Sequence, residues 1–484
     1  MMSRDDAVDS PSAAAGPSAA AQPDPRPARG GRPMSAAEWF GRGMALLRPS
    51  LEPKSSAGAP VQIPRSTSER LKATLRRHQE ALSPRALRRT LTELEAIVDP
   101  HVSEVEAARR ARDFAQWYAG ASREERHDCW LLMSEQFAPD AAQVRAAREE
   151  YEAALGTPEQ AHAEIRLRKA FISPRTRLLQ RFAGFPEGMR FLVDLRAELL
   201  PHLKSDRRLL PLDAELETLF STWFDVAFLE LRRISWDSPA SLVEKLIKYE
   251  AVHDIRSWAD VKNRLDSDRR CYGFFHARLE GEPLIFVEVA LMDSIADSIT
   301  PLLDENGAEA DLSRATTAIF YSISNTQPGL KGVSFGDSLI KRVVETLKAE
   351  FPRLKTFATL SPIPGLRSWM QKHAPAELLA ALEQPLALPP KSPHRAQLMS
   401  WAARYLGQEL ENGRPRDPVA RFHLGNGARI ERLNWGADPS PKGLKQSYGL
   451  MVNYLYDLKR LDRHRAMLAQ GQIPMSSAIE DLYG

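Results

Sequence analysis

Apolar residues recur at helical spacing through most of residues 35–205. Helix start signals precede several of these series: Ser83 is followed by Pro84, Ser122 by Glu125 three residues later, and residues 157–160 read Thr-Pro-Glu-Gln. After Ser122 the apolar positions include Trp130, Leu131, Met133 and Phe137. This region therefore predicts an all-α helical bundle. Its many arginines are typical of a solvated helix face.

The pattern changes after residue 206. Three β-branched and aromatic runs of strand length follow, LIFVEVAL at 284–291, TTAIFYSIS at 316–324 and LKTFATLS at 354–361. An amphipathic helix is predicted between the second and third runs, with one apolar face formed by Leu339, Ile340, Val343, Val344 and Leu347. Residues 206–484 thus predict an α/β domain behind the helical domain at 35–205.

Residues 1–34 are rich in Ala, Pro, Ser and Gly and have little to bury, so we expect a disordered tail. The chain has 484 residues, 43% of them hydrophobic, which is enough for a sizeable core in two or three domains. Lysine and arginine number 66 against 63 acidic residues, for a net charge of +3. That near-balance argues against nucleic-acid binding through a broadly basic surface.

The two cysteines, Cys129 and Cys271, are far apart, which argues against a disulfide framework and against a cysteine-based metal site. Since no run reaches the roughly 18 apolar residues that a membrane span needs, and no signal peptide is evident, we expect a cytoplasmic protein. The C-terminal residues IEDLYG lack a peroxisomal signal and fit a bacterial cytosolic form.

A glycine-containing loop carrying Gly329, Gly332 and Gly336 opens the predicted helix at 339. Such a loop presents backbone N–H groups at the positive end of the helix dipole, where a phosphate can bind. The loop matches neither the Walker nor the dinucleotide pattern. Asp337 would repel a phosphate yet could cap the helix, so a capped helix after a plain turn is the alternative.

A second segment, Ser361-Pro362-Ile363-Pro364-Gly365, predicts a rigid bend at a strand end, because each proline removes a backbone donor and fixes φ.

Several long segments together resemble the malonyl-CoA decarboxylase family. They are WFDVAFLELRRISWDSPASLVEKLI, YEAVHDIRSWADVKNRL, RRCYGFF, AIFYSISNTQPGLKGVSFGDSLIKRVV, LSPIPGLRSW, PVARFHLGNGARIERLNW and YGLMVNYLYDL, and they cover most of 215–460. The resemblance implies an N-terminal helical domain, a C-terminal GNAT-like acyl-CoA-binding domain, and conversion of malonyl-CoA to acetyl-CoA and carbon dioxide without metal or organic cofactor.

The resemblance also implies site residues. The family's catalytic serine falls on Ser361, its histidine on His423 and a tyrosine lining its site on Tyr456. Its acyl-CoA loop falls on Lys331, Gly332, Val333, Ser334, Phe335, Gly336 and Asp337. Ser334 stands where the family often has a glutamate.

Decarboxylation of a malonyl thioester leaves an enolate, which needs preorganised donors for its oxygen and an acid for its alpha carbon. We assign proton donation to His423. To Ser361 we assign the binding of the malonyl group and the acceptance or relay of the proton. A covalent acyl-serine is the rival, although no GxSxG elbow supports it.

Two other functions share these features: a GNAT-type N-acyltransferase, which would pass the acyl group to an amine, and a non-catalytic acyl-CoA sensor, which would need neither Ser361 nor His423. The resemblance further implies a homo-oligomer, a dimer or tetramer assembled through the helical domain.

Overall fold

The computed structural model describes residues 82–335 and 339–483. The predicted tail at 1–34 and the first part of the predicted helical domain lie outside this range. No helix within the described range is long and apolar enough to cross a membrane. Cys129 and Cys271 are both buried and both free.

The first described part of the chain is helical, as predicted. Its α-helices are α1 (Pro84–Val98), α2 (Glu104–Gly120), α3 (Arg123–Gln136), α4 (Ala141–Ala153), α5 (Gln160–Phe171), α6 (Pro174–Phe182), α7 (Gly188–Leu199) and α8 (Leu210–Trp223).

Two of the three predicted helix starts are observed with their caps. The Ser83 hydroxyl accepts from the Ala86 N–H, and Ser122 forms a full capping box with Glu125. The third differs, because α5 begins at Gln160 and the Thr157 hydroxyl donates back to the carbonyl of Ala154. The Thr157 side chain therefore forms a hydrogen bond within the turn before α5 and does not cap the helix.

The rest of the chain builds a mixed sheet with covering helices, so the predicted order of a helical region and an α/β domain is confirmed. The strands are β1 (Leu229–Ile234), β2 (Arg269–His276), β3 (Pro283–Met292), β4 (Thr317–Asn325), β5 (Thr356–Thr359), β6 (Ser361–Pro362), β7 (Leu410–Glu411), β8 (Arg414–Pro415), β9 (Arg429–Asn434) and β10 (Met451–Leu455). The helices are α9 (Ala240–Tyr249), α10 (Trp258–Arg264), α11 (Leu339–Glu350), α12 (Leu366–His373), α13 (Ala376–Ala381), α14 (Pro393–Gly407), α15 (Pro418–Gly425), α16 (Pro441–Ser447), α17 (Leu461–Ala469) and α18 (Ser477–Glu480).

Strands β3, β4 and β5 coincide with the three predicted strand runs. Helix α11 is also confirmed, and its predicted apolar face is buried in a core that also takes in side chains of the helical region. Strand β3 is almost wholly buried, which explains why it reads as a nearly continuous apolar run rather than an alternating one.

The sheet runs β1-β2-β3-β4-β5 and then to β10, which also pairs with β6 and β9. Neighbours are antiparallel except β4 and β5, which are parallel and connected through the glycine-containing loop and α11. Because the carboxyl ends of parallel strands meet at one edge, this connection brings the loop after β4 and the segment after β5 to the same edge of the sheet.

The sheet divides at that edge. Ladder pairing between β4 and β5 ends at Phe320 and Thr359, and beyond this point β4 keeps ladder pairing only with β3 among the described residues. The chain after β5 stays with β10 in an unchanged register, since Leu455 faces Ala358 and Val452 faces Ser361. The predicted bend over Ser361–Gly365 is therefore confirmed only at its end, because Ser361 and Pro362 pair with β10. Ser361 and Pro362 continue the pairing of β5 with β10, and the turn begins only at Pro364.

Candidate active site

Three predicted residues meet where the sheet divides. The Ser361 hydroxyl oxygen lies 3.2 Å from Nε2 of His423, and Nδ1 of the same ring lies 2.7 Å from the Tyr456 hydroxyl. All three residues are buried, with 5%, 4% and 3% of their surfaces exposed. Ser361 and His423 are 62 residues apart in sequence, so the contact depends entirely on the tertiary fold.

A fourth side chain, Thr359, extends this row of polar groups. The Ser361 hydroxyl donates to Oγ1 of Thr359 at 2.8 Å, and the same oxygen accepts from the Tyr454 N–H at 3.1 Å. Thr359 is fully buried, and its carbonyl accepts from the Asn453 amide at 2.7 Å. Both ends of Thr359 are thus fixed to β10.

The donor direction at Ser361 determines the resting tautomer of the imidazole. Because the serine proton points at Thr359, His423 must supply the hydrogen between Nε2 and the serine oxygen. Its Nδ1 is then unprotonated and accepts from the Tyr456 hydroxyl. The network is a directed chain from Tyr456 through His423 and Ser361 to Thr359.

The electrostatic environment keeps the side chains of this hydrogen-bond network uncharged. Burial lowers the pKa of His423 to about 3, so the ring is neutral at physiological pH. Burial also raises the pKa of the Tyr456 phenol above its usual range, against the opposing charge of Arg465. Tyr454 stacks on the His423 ring, with 4.7 Å between centroids and 25° between planes, and holds its orientation.

Asp417 joins the segments that carry Ser361 and His423. One carboxylate oxygen accepts from the N–H groups of Val419 and Ala420 and so caps α15, the helix on which His423 lies. The other accepts from the Gly365 N–H at 3.4 Å, in the turn that follows Ser361. Burial raises the pKa of Asp417, while these bonds lower it.

The predicted acyl-CoA loop is only partly within the described residues. Lys331 and Ser334 are exposed, Val333 is buried, and Phe335 packs at the edge of the core. Gly332 has φ +83°, a left-handed conformation that suits glycine. Gly336 and Asp337 lie outside the described residues.

Sequence reasoning did not select Thr359, Tyr454 or Asp417. A signal existed for two of them. Thr359 lies two residues before Ser361, and alternate residues of a strand share a face. Asp417 directly precedes Pro418, which is a helix-start signature. The stacking partner Tyr454 had no such signal.

A helical region is joined to a mixed-sheet domain, and a neutral imidazole lies buried between two hydroxyls, an arrangement chemically suited to proton transfer. Comparison with known proteins identifies the family. The malonyl-CoA decarboxylase N-terminal domain profile matches residues 137–224, and the C-terminal domain profile matches residues 227–483.

Individual relatives agree. The chain is 36% identical over 413 residues to mitochondrial malonyl-CoA decarboxylase of Anser anser anser, covering 73% of this chain and 79% of that one. The crystal structure of malonyl-CoA decarboxylase from Rhodopseudomonas palustris superposes with a TM-score of 0.73 at 40% identity, over 82% of this chain and 99% of that one. That from Cupriavidus metallidurans gives 0.66 at 41% identity, over 82% and 100%. The chain belongs to the malonyl-CoA decarboxylase family.

Proposed function

We propose that this protein decarboxylates malonyl-CoA to acetyl-CoA and carbon dioxide, with Ser361, His423 and Tyr456 as its proton-transfer residues. The observation that carries the assignment of these residues is the directed, buried hydrogen-bond chain at the division of the sheet. The reaction consumes one proton. The hydrogen-bonded side chains can deliver that proton into a site that is largely closed to water.

In the proposed reaction, the bond between the alpha carbon and the carboxylate carbon breaks, and its electron pair forms the enolate as carbon dioxide leaves. The Ser361 hydroxyl turns from Thr359 to the substrate and gives its proton to the alpha carbon. Ser361 regains a proton from Nε2 of His423, and Nδ1 of the same ring gains a proton from the Tyr456 hydroxyl. Solvent then returns a proton to Tyr456. His423 is thus the donor behind Ser361 and stays neutral, as its low pKa requires, but its hydrogen now lies on Nδ1. Loss of that hydrogen and gain of one at Nε2, by exchange with solvent, restores the resting tautomer before the next cycle.

The resting tautomer argues against the rival acyl-serine mechanism. A nucleophilic serine needs a base at its hydroxyl, but Nε2 of His423 donates to Ser361 rather than accepting from it. The proton that a base would remove points instead at Thr359.

For substrate binding we propose the loop Lys331, Gly332, Val333, Ser334 and Phe335. It leaves β4 at the same edge of the sheet as Ser361, and the exposed Lys331 supplies a positive charge suited to the phosphates of CoA. The predicted continuation through Gly336 and Asp337 stays a prediction.

The deciding experiment supplies malonyl-CoA alone, with chelator and without an amine acceptor, and follows acetyl-CoA and carbon dioxide together. We expect equal amounts of both from the wild type, and at least about a hundredfold loss of turnover in Ser361→Ala and His423→Ala, given the usual size of acid–base contributions. Ser447→Ala and His464→Ala are matched controls, since these buried residues bond to backbone carbonyls instead.

The outcomes separate the candidate functions. Product formation only when an amine is present would indicate an N-acyltransferase, and binding without any product would indicate a sensor. Undiminished turnover in His423→Ala would refute the assigned proton donor.

We also propose a homo-oligomer, a dimer or tetramer assembled through the helical domain. Family membership supports this, and sedimentation of a monomer at micromolar concentration would contradict it. The cytoplasmic location stays a prediction of the sequence.

A further inference from the structure

The loop that leads from β4 to α11 lies against the helical region. Its first turn, Pro328–Leu330, packs directly on α7. At Gly329 an added Cβ would lie 1.9 Å from the carbonyl oxygen of Val193, so the two backbones touch and only glycine fits. The position of this turn is therefore fixed by a helix of the other domain.

A single buried arginine of α7 holds the same turn. Arg196 is 1% exposed, and its Nη1 donates to the carbonyls of Gly329 at 2.8 Å and Lys331 at 2.9 Å. Its Nε donates to Asp213 at 2.8 Å, and its Nη2 lies 3.4 Å from Glu217. Two carboxylates on α8 thus orient a guanidinium whose Nη1 donates to the loop.

Further contacts continue along the loop on both sides of Arg196. Nη1 of Arg190 donates to the Gln327 amide oxygen at 2.6 Å before the turn. After it, the Ser334 N–H donates to the Ser221 hydroxyl at 3.3 Å, and the Phe335 carbonyl accepts from the Val226 N–H at 2.9 Å. The helical region and the short connection after it therefore contact the loop from residue 327 to residue 335.

We propose that the helical region is the support of the acyl-CoA loop and that Arg196 is the positioning residue that sets its conformation for substrate binding. This inference rests on the proposed function, in which residues 331–335 hold the CoA moiety. A loop already held in its binding conformation loses less entropy when ligand binds, so the arginine lowers the dissociation constant without touching the reacting atoms. The helical domain, predicted as an assembly element, thereby also serves the substrate site.

The test compares two buried arginines of the helical region. Arg196→Met removes the guanidinium that holds the loop. Arg175→Met removes one that is 3% exposed and donates to the carbonyls of Met133 and Ser134, away from the loop. Each variant is measured for its melting temperature, for kcat and KM with malonyl-CoA, and for the dissociation constant of CoA by calorimetry.

We expect Arg196→Met to raise the KM and the CoA dissociation constant about tenfold or more, as the loss of charge-assisted bonds implies, with kcat within about threefold of wild type. Arg175→Met should lose comparable thermal stability and keep both binding constants. Arg196→Lys should recover binding only in part, because one ammonium cannot reproduce the planar fork.

Two results would overturn the inference. One is an Arg196→Met variant that melts lower but binds CoA as wild type does. The other is an equal loss of binding in Arg175→Met, which would indicate general destabilisation. If Arg196→Met does not fold, Arg190→Met is measured instead, and its CoA dissociation constant should rise about threefold for the lost bond to Gln327. An unchanged constant there would equally refute the proposal.

Failure of the proposed function is distinguishable. If the wild type binds CoA but does not decarboxylate malonyl-CoA, the decarboxylase proposal fails, while the CoA dissociation constants of the variants still decide the role of Arg196.

Discussion

Removal of one oxygen atom, in Tyr456→Phe, tests the directed hydrogen-bond chain most sharply. The hydroxyl lies 2.7 Å from Nδ1 of His423 and donates to this nitrogen, which is unprotonated in the resting tautomer. Phenylalanine preserves the ring that packs near Phe320, so the variant should fold. Its imidazole would keep its partner at Nε2 and lose the one at Nδ1.

The magnitude follows from burial. A buried acceptor left without its donor costs about 1–3 kcal/mol. In the proposed reaction Nδ1 must also receive a proton as Nε2 gives one away, so this cost is largest in the transition state. Since about 1.4 kcal/mol is tenfold in rate, we expect kcat to fall about 10- to 100-fold. KM should change little, because Tyr456 lies on the side of the ring away from Ser361.

Steady-state formation of acetyl-CoA from malonyl-CoA measures the effect. Tyr272→Phe is the matched control, since Tyr272 is 1% exposed and its hydroxyl finds no partner among the described residues. A Tyr456→Phe enzyme with kcat within twofold of wild type, while Ser361→Ala is inactive, would refute proton delivery through the phenol. The proton would then reach His423 or Ser361 by another path.

Two further predictions concern the same chain. Thr359→Val should lower kcat about tenfold while Thr359→Ser stays within about threefold, because only the hydroxyl oxygen orients Ser361 and bonds to the Tyr454 N–H; equal kcat losses in both variants would make the effect one of packing. His423 has its pKa lowered from 6.5 to about 3, so below pH 6.5 the unfolded chain gains a proton that the native state does not, and stability falls as pH falls. Urea unfolding at pH 7 and pH 5 should show about 2 kcal/mol more acid destabilisation in the wild type than in His423→Gln, and identical pH dependence would contradict the buried neutral ring.

The sequence predicted those parts of the fold that depend on local pattern. The apolar face of α11 repeats at helical spacing, and β3 and β4 are long apolar runs, so each is specified within its own segment. Thr157 shows the limit, because a hydroxyl followed by Pro-Glu-Gln suits both a cap and a turn, and the turn formed. Pairing of Ser361 and Pro362 with β10 was missed because the partner strand lies about ninety residues away, which local pattern does not reveal.

The site was predicted by resemblance rather than by pattern. Nothing local marks His423 as the partner of Ser361, since α15 and β6 meet only in the folded chain. Asp417 and Thr359 had local signals, but a capping aspartate and a strand threonine are common features. They matter to the site because each links two segments of it: Asp417 links the turn at Gly365 to α15, and Thr359 links β5 to β10.

The hydrogen bonds of Asp417 hold together the two ends of the segment that runs from α12 to β8, residues 366–415. Gly365 at its start and α15 at its end are held by the two oxygens of one carboxylate, whatever the chain does between them. Within this segment, Asn412 and Gly413 form the exposed tip of the hairpin between β7 and β8. Both residues have positive φ, as a tight two-residue turn requires. Because the closure entropy of a loop grows only slowly with its length, a peptide handle or reporter grafted at this tip would leave the spacing of Ser361 and His423 intact.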